Sequence, residues 1–301
     1  MKRTSLSILF LIFQPLASFS QNQPGCLLWE VSMPGSVHRS YLLGTFHEVN
    51  STFFRSIPHA AEKLKQCKVL FVEQTAPDAH GGSQRKAVEN LSMKKTWDVR
   101  LWNTLLNADQ KTIFGNFIEK SQDSSWYRSS PLLLLLTLNR IYSQNFCDTT
   151  ARSSNQTMDG YIENFAVENH LQTRSLDTDQ MAIIENASND NGSGRDLMYA
   201  EACSDLMDKM LRDDASQCSF MEDYRNFKLD YQFDTELKNI NISSSFLLDR
   251  NKKWIQTLDQ AFKDTSCFVA VGIRHLFYQE GLVRQLRQRG YSVEPVVPDR
   301  P

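Results

Sequence analysis

The sequence predicts an α/β protein whose central sheet is mixed, largely parallel, and formed jointly by the N- and C-terminal thirds of the chain. Short apolar runs typical of buried strands occur near both ends of the sequence. Between them, from about residue 80 to 260, apolar residues recur at helical spacing, which predicts a large, mainly helical insertion. The length of 301 residues suits one large domain. We therefore expect residues 21–301 to form a single domain.

Residues 26–75 predict a β-hairpin, a helix and a further strand. Two strand-like runs flank a loop that contains Pro34 and Gly35, and Pro58 suits the first turn of a helix that continues to residue 67. The next run, KVLFVE, is short and rich in β-branched and aromatic residues, as buried strands are. It ends in the carboxylate Glu73.

Helical periodicity dominates the middle of the chain. Apolar residues recur at i, i+3 and i+4 in five segments, which are 96–120, 131–146, 158–169, 197–212 and 246–263. The run LLLLLTL at 132–138 is far shorter than a membrane span, so we interpret it as part of a buried core helix. Residues 172–176 suit a short strand that leads to Asp177.

The C-terminal segment returns to alternating strands and helices. The run CFVAVG predicts a buried strand, residues 281–289 an amphipathic helix, and YSVEPVV a last strand. Gly290 is well placed to end that helix.

The N-terminus has the layout of a secretory signal peptide over residues 1–20. Lys2 and Arg3 precede a short apolar run, and Ser18 and Ser20 place small residues at the −3 and −1 positions. An uncleaved anchor is the alternative, although the run is short for a bilayer. We expect a secreted or periplasmic protein with no stable membrane span after cleavage.

The charge balance argues against a nucleic-acid binder, and the cysteine spacing argues against a thiolate metal site. With 33 Lys and Arg against 35 Asp and Glu, and no long basic run, the chain lacks the cationic surface of a nucleic-acid binder. The six cysteines form no Cys-x-x-Cys pair, so we expect disulfide partners rather than metal ligands. Cys67 and Cys267 each precede a strand-like run and could pair if those strands are parallel neighbours. Buried free thiols are an equally open interpretation.

Two strands are each followed by Gly-x-x-His, in the segments that end at His47 and His275. A glycine allows a sharp turn as the strand ends, and the histidine then emerges at the carboxyl edge, where open α/β sheets bind ligands. Glu73 ends a third strand and would reach the same edge. Two imidazoles and a carboxylate could hold a divalent metal that activates water. Histidines with a purely structural hydrogen bond are the alternative.

Three segments resemble the TraB/GumN family, whose metazoan relatives are the Tiki metalloproteases. They are SYLLGTFH, KVLFVE and FVAVGIRHLFYQEGLVRQLRQRGYSVEPV. The last is the most specific, with Gly-x-x-His-Leu, then V-x-x-L in a helix, then R-G-Y-x-V-x-P. Three weaker matches lie between them, namely Met158-Asp159-Gly160, Leu176-Asp177-Thr178 with Gln180, and Asp249-Arg250-Asn251. Together they cover nearly the whole mature chain in order, which implies a shared fold.

The resemblance implies a metal-dependent hydrolase whose metal is held by His47, Glu73 and His275. Glu73 would serve as a ligand or as the general base. The family preference implies Mn²⁺ or Co²⁺, with Zn²⁺ as an alternative. The resemblance also relates the fold to the erythromycin-esterase and ChaN-like groups, in which the carboxyl end of the sheet holds the site.

Other residues of the matched segments have proposed supporting roles. Arg250, together with Asn251, is a candidate for holding a substrate carboxylate or a carboxylate of the site, although a structural ion pair is equally open. Asp159 is a candidate to support a ligating histidine, or simply a helix N-terminal acid. Asp177 stands where the family has Glu, and its shorter reach puts a direct role in doubt.

The sequence departs from the family immediately before the second histidine. Ile273 and Arg274 stand where the family has small residues. An inward Arg274 would disfavour a metal and lower the basicity of His275. It could instead bind an anionic group of the substrate or face solvent.

These observations favour an exported metallohydrolase that acts on a peptide or a small molecule, with peptide bonds as the expected target. The alternative is a non-catalytic secreted module that binds a ligand in the same cleft. The substitution at Arg274 favours that alternative.

Overall fold

The structure is a computed structural model that describes residues 25–75, 97–153, 156–177, 194–237 and 245–298. The predicted signal peptide, residues 1–20, and the matched residues Thr178 and Gln180 lie outside the described residues. The statements below concern the described part of the chain.

A six-stranded sheet organises the described residues. Its strands are β1 (Leu28–Ser32), β2 (Arg39–Thr45), β3 (Val69–Val72), β4 (Gln172–Ser175), β5 (Cys267–Gly272) and β6 (Ser292–Pro295). They lie in the order β4-β3-β5-β2-β1-β6. β2, β5, β3 and β4 run parallel, whereas β1 is antiparallel to both β2 and β6. The predicted mixed, largely parallel sheet is therefore confirmed, and the middle segment adds only the edge strand β4.

The register of the central strands decides where their ends lie. β5 lies between β2 and β3, and it pairs Gly272 with Thr45 and Ala270 with Val72. All four residues of β3 are buried, as expected for a parallel strand covered on both faces. Since the three strands are parallel and in close register, the residues that follow them meet at one edge of the sheet.

Nine helices of seven residues or more are found in the described ranges. They are α1 (Ala60–Gln66), α2 (Val99–Leu105), α3 (Ala108–Ser121), α4 (Pro131–Tyr142), α5 (Met158–Glu168), α6 (Arg195–Leu211), α7 (Ser219–Arg225), α8 (Arg250–Asp264) and α9 (Leu282–Gln288). Short 3₁₀ segments lie at Ser51–Ser56, Ser124–Arg128, Thr149–Ser153, Ser216–Cys218 and Ile273–Leu276, and π segments at Ser143–Cys147 and Ser245–Asp249.

The single helix predicted over 96–120 is wrong, because α2 and α3 are separate. Asn107 accepts a hydrogen bond from the backbone N–H of Gln110 (2.9 Å), and the Gln110 side chain accepts one from the Asn107 N–H (2.9 Å). This reciprocal cap begins a new helix and stops the preceding one. Pro58 likewise falls outside α1, because His59 precedes that helix with a left-handed φ of 59°.

Two hydrophobic clusters hold the elements together. The larger packs both faces of the sheet and contains the fully buried rings of Trp29, Phe54 and Phe268. The second lies among the helices of the middle segment, around Trp102 and Phe114. The middle segment therefore has an apolar core of its own.

The leucine-rich run forms part of the second cluster. α4 begins at Pro131 and buries Leu132, Leu133, Leu134 and Leu138. The prediction of a buried core helix is confirmed. In the ranges that the structure describes, no helix is both long enough and apolar enough to cross a membrane.

The prediction that the cysteines pair as disulfides is confirmed for one pair, whereas the other four are the buried free thiols of the alternative interpretation. Cys147 and Cys218 form a disulfide with a Cα–Cα distance of 5.2 Å, whereas Cys26, Cys67, Cys203 and Cys267 are free and buried. β3 and β5 are parallel neighbours, as a Cys67–Cys267 bond requires. However, the register sets Cys267 opposite Val69, two residues beyond Cys67. This offset along the strands separates the two cysteines, and disulfides need closely opposed Cβ atoms.

Alkylation counts the thiols directly. Protein made in an oxidising compartment and then denatured without reductant should take up label at four cysteines, and after reduction at all six. The double variant Cys147→Ser/Cys218→Ser should lose about 2–4 kcal/mol of unfolding free energy. Reductant should lower the wild type to the stability of this variant and leave the variant unchanged. Label at all six positions without reduction contradicts the disulfide.

Candidate functional site at the carboxyl edge of the sheet

Three strand ends bring the predicted site residues to one edge of the sheet. Glu73 directly follows β3, His47 lies two residues beyond β2, and His275 lies in the 3₁₀ segment after β5. Glu73 and His275 are buried, whereas 47% of the His47 side chain is exposed. The site therefore has a buried part and a part that faces solvent.

The two motif glycines allow close packing rather than a sharp turn. A Cβ at Gly44 would lie 2.0 Å from Cδ1 of Ile273, so the absent side chain makes room for that isoleucine. A Cβ at Gly272 would lie 3.0 Å from Oε1 of Glu73. That oxygen instead accepts a hydrogen bond from the Gly272 N–H at 2.7 Å. Neither glycine has a positive φ.

Arg250, the first residue of α8, is the centre of the buried part. Its Nη2 donates to Oε2 of Glu73 and, at 2.6 Å, to Oδ2 of Asp177, to which Nε also donates at 2.9 Å. The guanidinium lies 4.4 Å from the ring centroid of Trp254, whose Nε1 donates to the other oxygen of Asp177 at 2.7 Å. Arg250 is 8% exposed, so these contacts hold a buried cation between two carboxylates.

Asn251 fixes the orientation and tautomer of His275. The Asn251 amide nitrogen donates to the backbone oxygens of His275 (3.1 Å) and Glu280 (3.0 Å), so its Oδ1 must accept. Nδ1 of His275 lies 2.7 Å from that oxygen and is therefore assigned the proton. The lone pair on Nε2 then accepts from Nη1 of Arg250 at 3.2 Å. Burial lowers the pKa of His275 to about 3, so the ring is neutral.

Glu73 is ionised although it is buried. Burial alone would raise its pKa, but the positive charge of Arg250, with smaller effects of His275 and His47, outweighs it and lowers the pKa to about 2. Its Oε1 lies 3.7 Å from Nε2 of His275.

His47 belongs to a second, more exposed pair. Its Nδ1 contacts Oδ2 of Asp159, whose Oδ1 accepts from the Thr45 hydroxyl at 2.7 Å. The Asp159 carboxylate raises the pKa of His47, against the effect of burial, and solvent around the half-exposed ring weakens this pairing. Nε2 of His47 makes no hydrogen bond to any described residue, so it is available to a ligand.

Arg274 points neither into the buried network nor freely into solvent. Its guanidinium carbon lies 3.9 Å from the ring centroid of Phe220 and 5.2 Å from that of Phe277, and Nη1 donates to the Tyr278 hydroxyl at 3.4 Å. It lies at the rim of the site.

The structure brings the predicted residues into two groups. Glu73, Asp177, Arg250, Asn251 and His275 form one hydrogen-bonded network, and His47 and Asp159 form the adjacent pair. Within the described ranges, no three His, Cys, Asp or Glu side chains are arranged to hold a metal ion. As arranged, the residues do not fit the expected metal, because Arg250 already donates to both Glu73 and His275.

Sequence reasoning missed two residues that hold these groups. Trp254 stacks on Arg250 from four positions further along α8, a spacing that places two side chains on the same face of a helix. The polar residue Thr45 ends a buried strand and positions Asp159. The helical spacing of Arg250 and Trp254 is a signal that the sequence does carry.

The fold and the site together define an α/β protein with a buried polar network at the carboxyl edge of a mixed sheet. The model of the TraB/PrgY/gumN family matches residues 27–295, nearly the whole chain, so the chain belongs to this family. The family resemblance expected from the sequence is thereby confirmed. No curated protein and no solved structure matches the chain.

The charge of Glu73 predicts a dependence of stability on pH. Because the pKa falls from 4.5 to about 2 on folding, ionised Glu73 stabilises the protein above about pH 4.5, and this contribution is lost as the pH falls towards 2. Glu73→Gln should lower the unfolding free energy at neutral pH by about 1–3 kcal/mol. On acidification, the unfolding free energy of this variant should fall by less than that of the wild type. Urea unfolding of chelator-treated protein over this pH range measures both effects.

The matched control is Glu119→Gln on the exposed face of α3, which should keep the acid profile of the wild type. A constant difference between the wild type and Glu73→Gln at every pH contradicts the prediction.

Proposed function

We propose that this protein is an exported hydrolase whose reaction takes place beside His47, with peptide bonds as the class of substrate. One observation carries the proposal: a half-exposed histidine, held by Asp159, lies at the edge of a buried network of fixed charges. The chain belongs to the TraB/PrgY/gumN family. The resemblance of its sequence motifs to metallohydrolases of that family supports the proposal of a hydrolase.

In this proposal His47 is the group that meets the substrate. Asp159 holds Nδ1, which fixes the ring and leaves Nε2 directed away from the pair. Because the carboxylate favours the protonated ring, Nε2 can donate to the carbonyl oxygen, which gains negative charge as a water molecule adds to the carbonyl carbon. As the C–N bond breaks, Nε2 gives its proton to the leaving nitrogen, and the ring takes up the proton that the water releases.

The buried network holds charges in place. Both oxygens of Glu73 already accept hydrogen bonds, from Gly272 and Arg250, and its pKa is low, so it is a weak base in this arrangement. Its proposed role is to fix Arg250 and to favour the protonated form of His47. The proposed role of Arg250 is to hold the carboxylates of the site, which is one of the interpretations that the sequence left open.

A divalent metal held by His47, Glu73 and His275 stays a separate proposal that rests on the resemblance. Nε2 of His275 and Oε1 of Glu73 are 3.7 Å apart and have the chemistry of metal donors. Arg250, however, already donates to both side chains. A metal would require this guanidinium to withdraw, and none of the roles assigned above depends on one.

The second candidate is a secreted module that binds a ligand without cleaving it. The observation that favours it is the same engagement of Glu73 and His275 by Arg250, since it leaves neither as a free base. Both candidates place the ligand beside His47.

Digestion of a defined peptide mixture, read by mass spectrometry, tests the proposal. The wild type should cleave peptides, and His47→Ala should lower the rate by about 100-fold or more, since it removes the proposed acid. His38→Ala, which changes a histidine in the loop before β2, should cleave as the wild type does. If both variants still cleave as the wild type does, the proposed role of His47 is wrong. If none of the three proteins cleaves, the result favours the binding module.

The same digest separates the two forms of the hydrolase. Metal content after dialysis is measured for the wild type, His47→Ala and His275→Ala, and cleavage is followed with added manganese and with chelator. A stoichiometric metal that both variants lose, together with chelator-sensitive cleavage, supports the metal-dependent form. If chelator does not change the rate of cleavage, the reaction depends on the side chains of the protein and not on a bound metal.

A further inference from the structure

Arg274 is a cation that this chain places beside His47. The β2–β5 register pairs Thr45 with Gly272, so His47 and Arg274 each lie two residues beyond the end of their strand. The strands are parallel neighbours, and neighbouring strands lie about 5 Å apart. Both residues therefore follow neighbouring strands at the same edge of the sheet.

The protein holds the guanidinium of Arg274 on an aromatic support. Its guanidinium carbon lies over the ring of Phe220, 3.9 Å from the centroid, and the Tyr278 hydroxyl accepts a hydrogen bond from Nη1 at 3.4 Å. Tyr278 has a left-handed φ of 70°, a conformation that bulky residues rarely adopt, and its N–H donates to the backbone oxygen of Tyr231 at 2.9 Å. The support is thus fixed by its own backbone contacts.

The guanidinium of Arg274 has no anionic partner in the described residues. It makes one hydrogen bond there and contacts no carboxylate. Arg250, in contrast, is bound by both Glu73 and Asp177. A guanidinium has five N–H donors, and stacking on a ring leaves those at its edge available. Its planar donors match the two oxygens of a carboxylate.

A continuous aromatic surface joins this cation to His47. The ring centroid of Phe46, the residue before His47, lies 5.6 Å from that of Phe220, and both rings are partly exposed. A chain that contacts His47 could therefore extend over these two rings to Arg274.

We propose that Arg274 and Phe220 form a carboxylate-binding subsite beside His47, which selects peptides with an acidic side chain or a terminal carboxylate near the bond that is cut. The cleavage in this statement rests on the proposed function, whereas the binding does not. The recognised group is a carboxylate, and its two sources, side chain and chain end, are separated by the experiment.

Binding is measured by calorimetry with three unlabelled peptides. They are Ala-Ala-Glu-Ala-Ala and Ala-Ala-Gln-Ala-Ala, both acetylated and amidated, and acetylated Ala-Ala-Gln-Ala-Ala with a free C-terminus. At low salt, the wild type should bind at least one carboxylate-bearing peptide about tenfold more tightly than the neutral one. The peptide that is preferred identifies the source.

The variants test whether Arg274 causes the preference. Arg274→Gln should abolish it, and Arg274→Lys should keep only part of it, since the ammonium lacks the planar donors. Arg289→Gln removes one cation from the end of α9 and should bind as the wild type does. Circular dichroism of each variant checks that it is folded. If Arg274→Gln does not fold, the reduced preference expected of Arg274→Lys is the test.

Cleavage sites in the peptide digest give the second measurement. The wild type should cut preferentially near acidic residues or near the C-terminus, according to the source that calorimetry identifies. Arg274→Gln should cut without this preference, and Arg274→Glu should disfavour the same sites. Equal binding of all three peptides by the wild type, or a preference unchanged in Arg274→Gln, overturns the subsite. If the wild type prefers a carboxylate-bearing peptide but cleaves none, the proposed subsite is supported and the proposed hydrolase activity is wrong.

Discussion

The buried charge of Arg250 is the constraint on which the site depends. Its contacts join the end of β3 through Glu73, the chain two residues beyond β4 through Asp177, and the segment after β5 through His275. Two buried carboxylates without this cation would be strongly destabilising, since each would be charged without a partner. The guanidinium therefore fixes the relative positions of three strand ends and the start of α8.

The same charge sets the electrostatics of its surroundings. The ionised carboxylate of Glu73, which Arg250 stabilises, favours positive charge nearby. This matches the raised pKa of His47, to which Glu73 contributes after Asp159. His275 is neutral, and its Nε2 already accepts a hydrogen bond from Arg250. It is therefore not free to bind a second cation. The buried ion pair thus adds, through Glu73, to the effect of Asp159 on the pKa of His47, and through Arg250 it occupies His275.

The sequence predicted the site to the extent that local patterns determine strand ends. β2, β3 and β5 are short apolar runs, and parallel strands place the residues after them at one edge, so His47, Glu73 and His275 could be brought together in advance. The partners of Arg250 could not, because Glu73 lies 177 residues away in the chain and no local pattern encodes that contact. The break between α2 and α3 is different. Asn107 and Gln110 have the spacing of a capping box, a readable signal that periodicity alone overlooked.

Ile273 and Arg274, the two residues before the second histidine, form one structural unit with His275. Ile273 is buried where the absent side chain of Gly44 leaves room, which anchors the 3₁₀ segment against β2. Successive residues of a 3₁₀ segment point about 120° apart, because there are three residues per turn. With Ile273 directed towards β2 and His275 towards Glu73, Arg274 is left to face the rim, where Phe220 supports it. The large residues before the second histidine therefore leave the buried network intact and add a cation outside it, on the ring of Phe220.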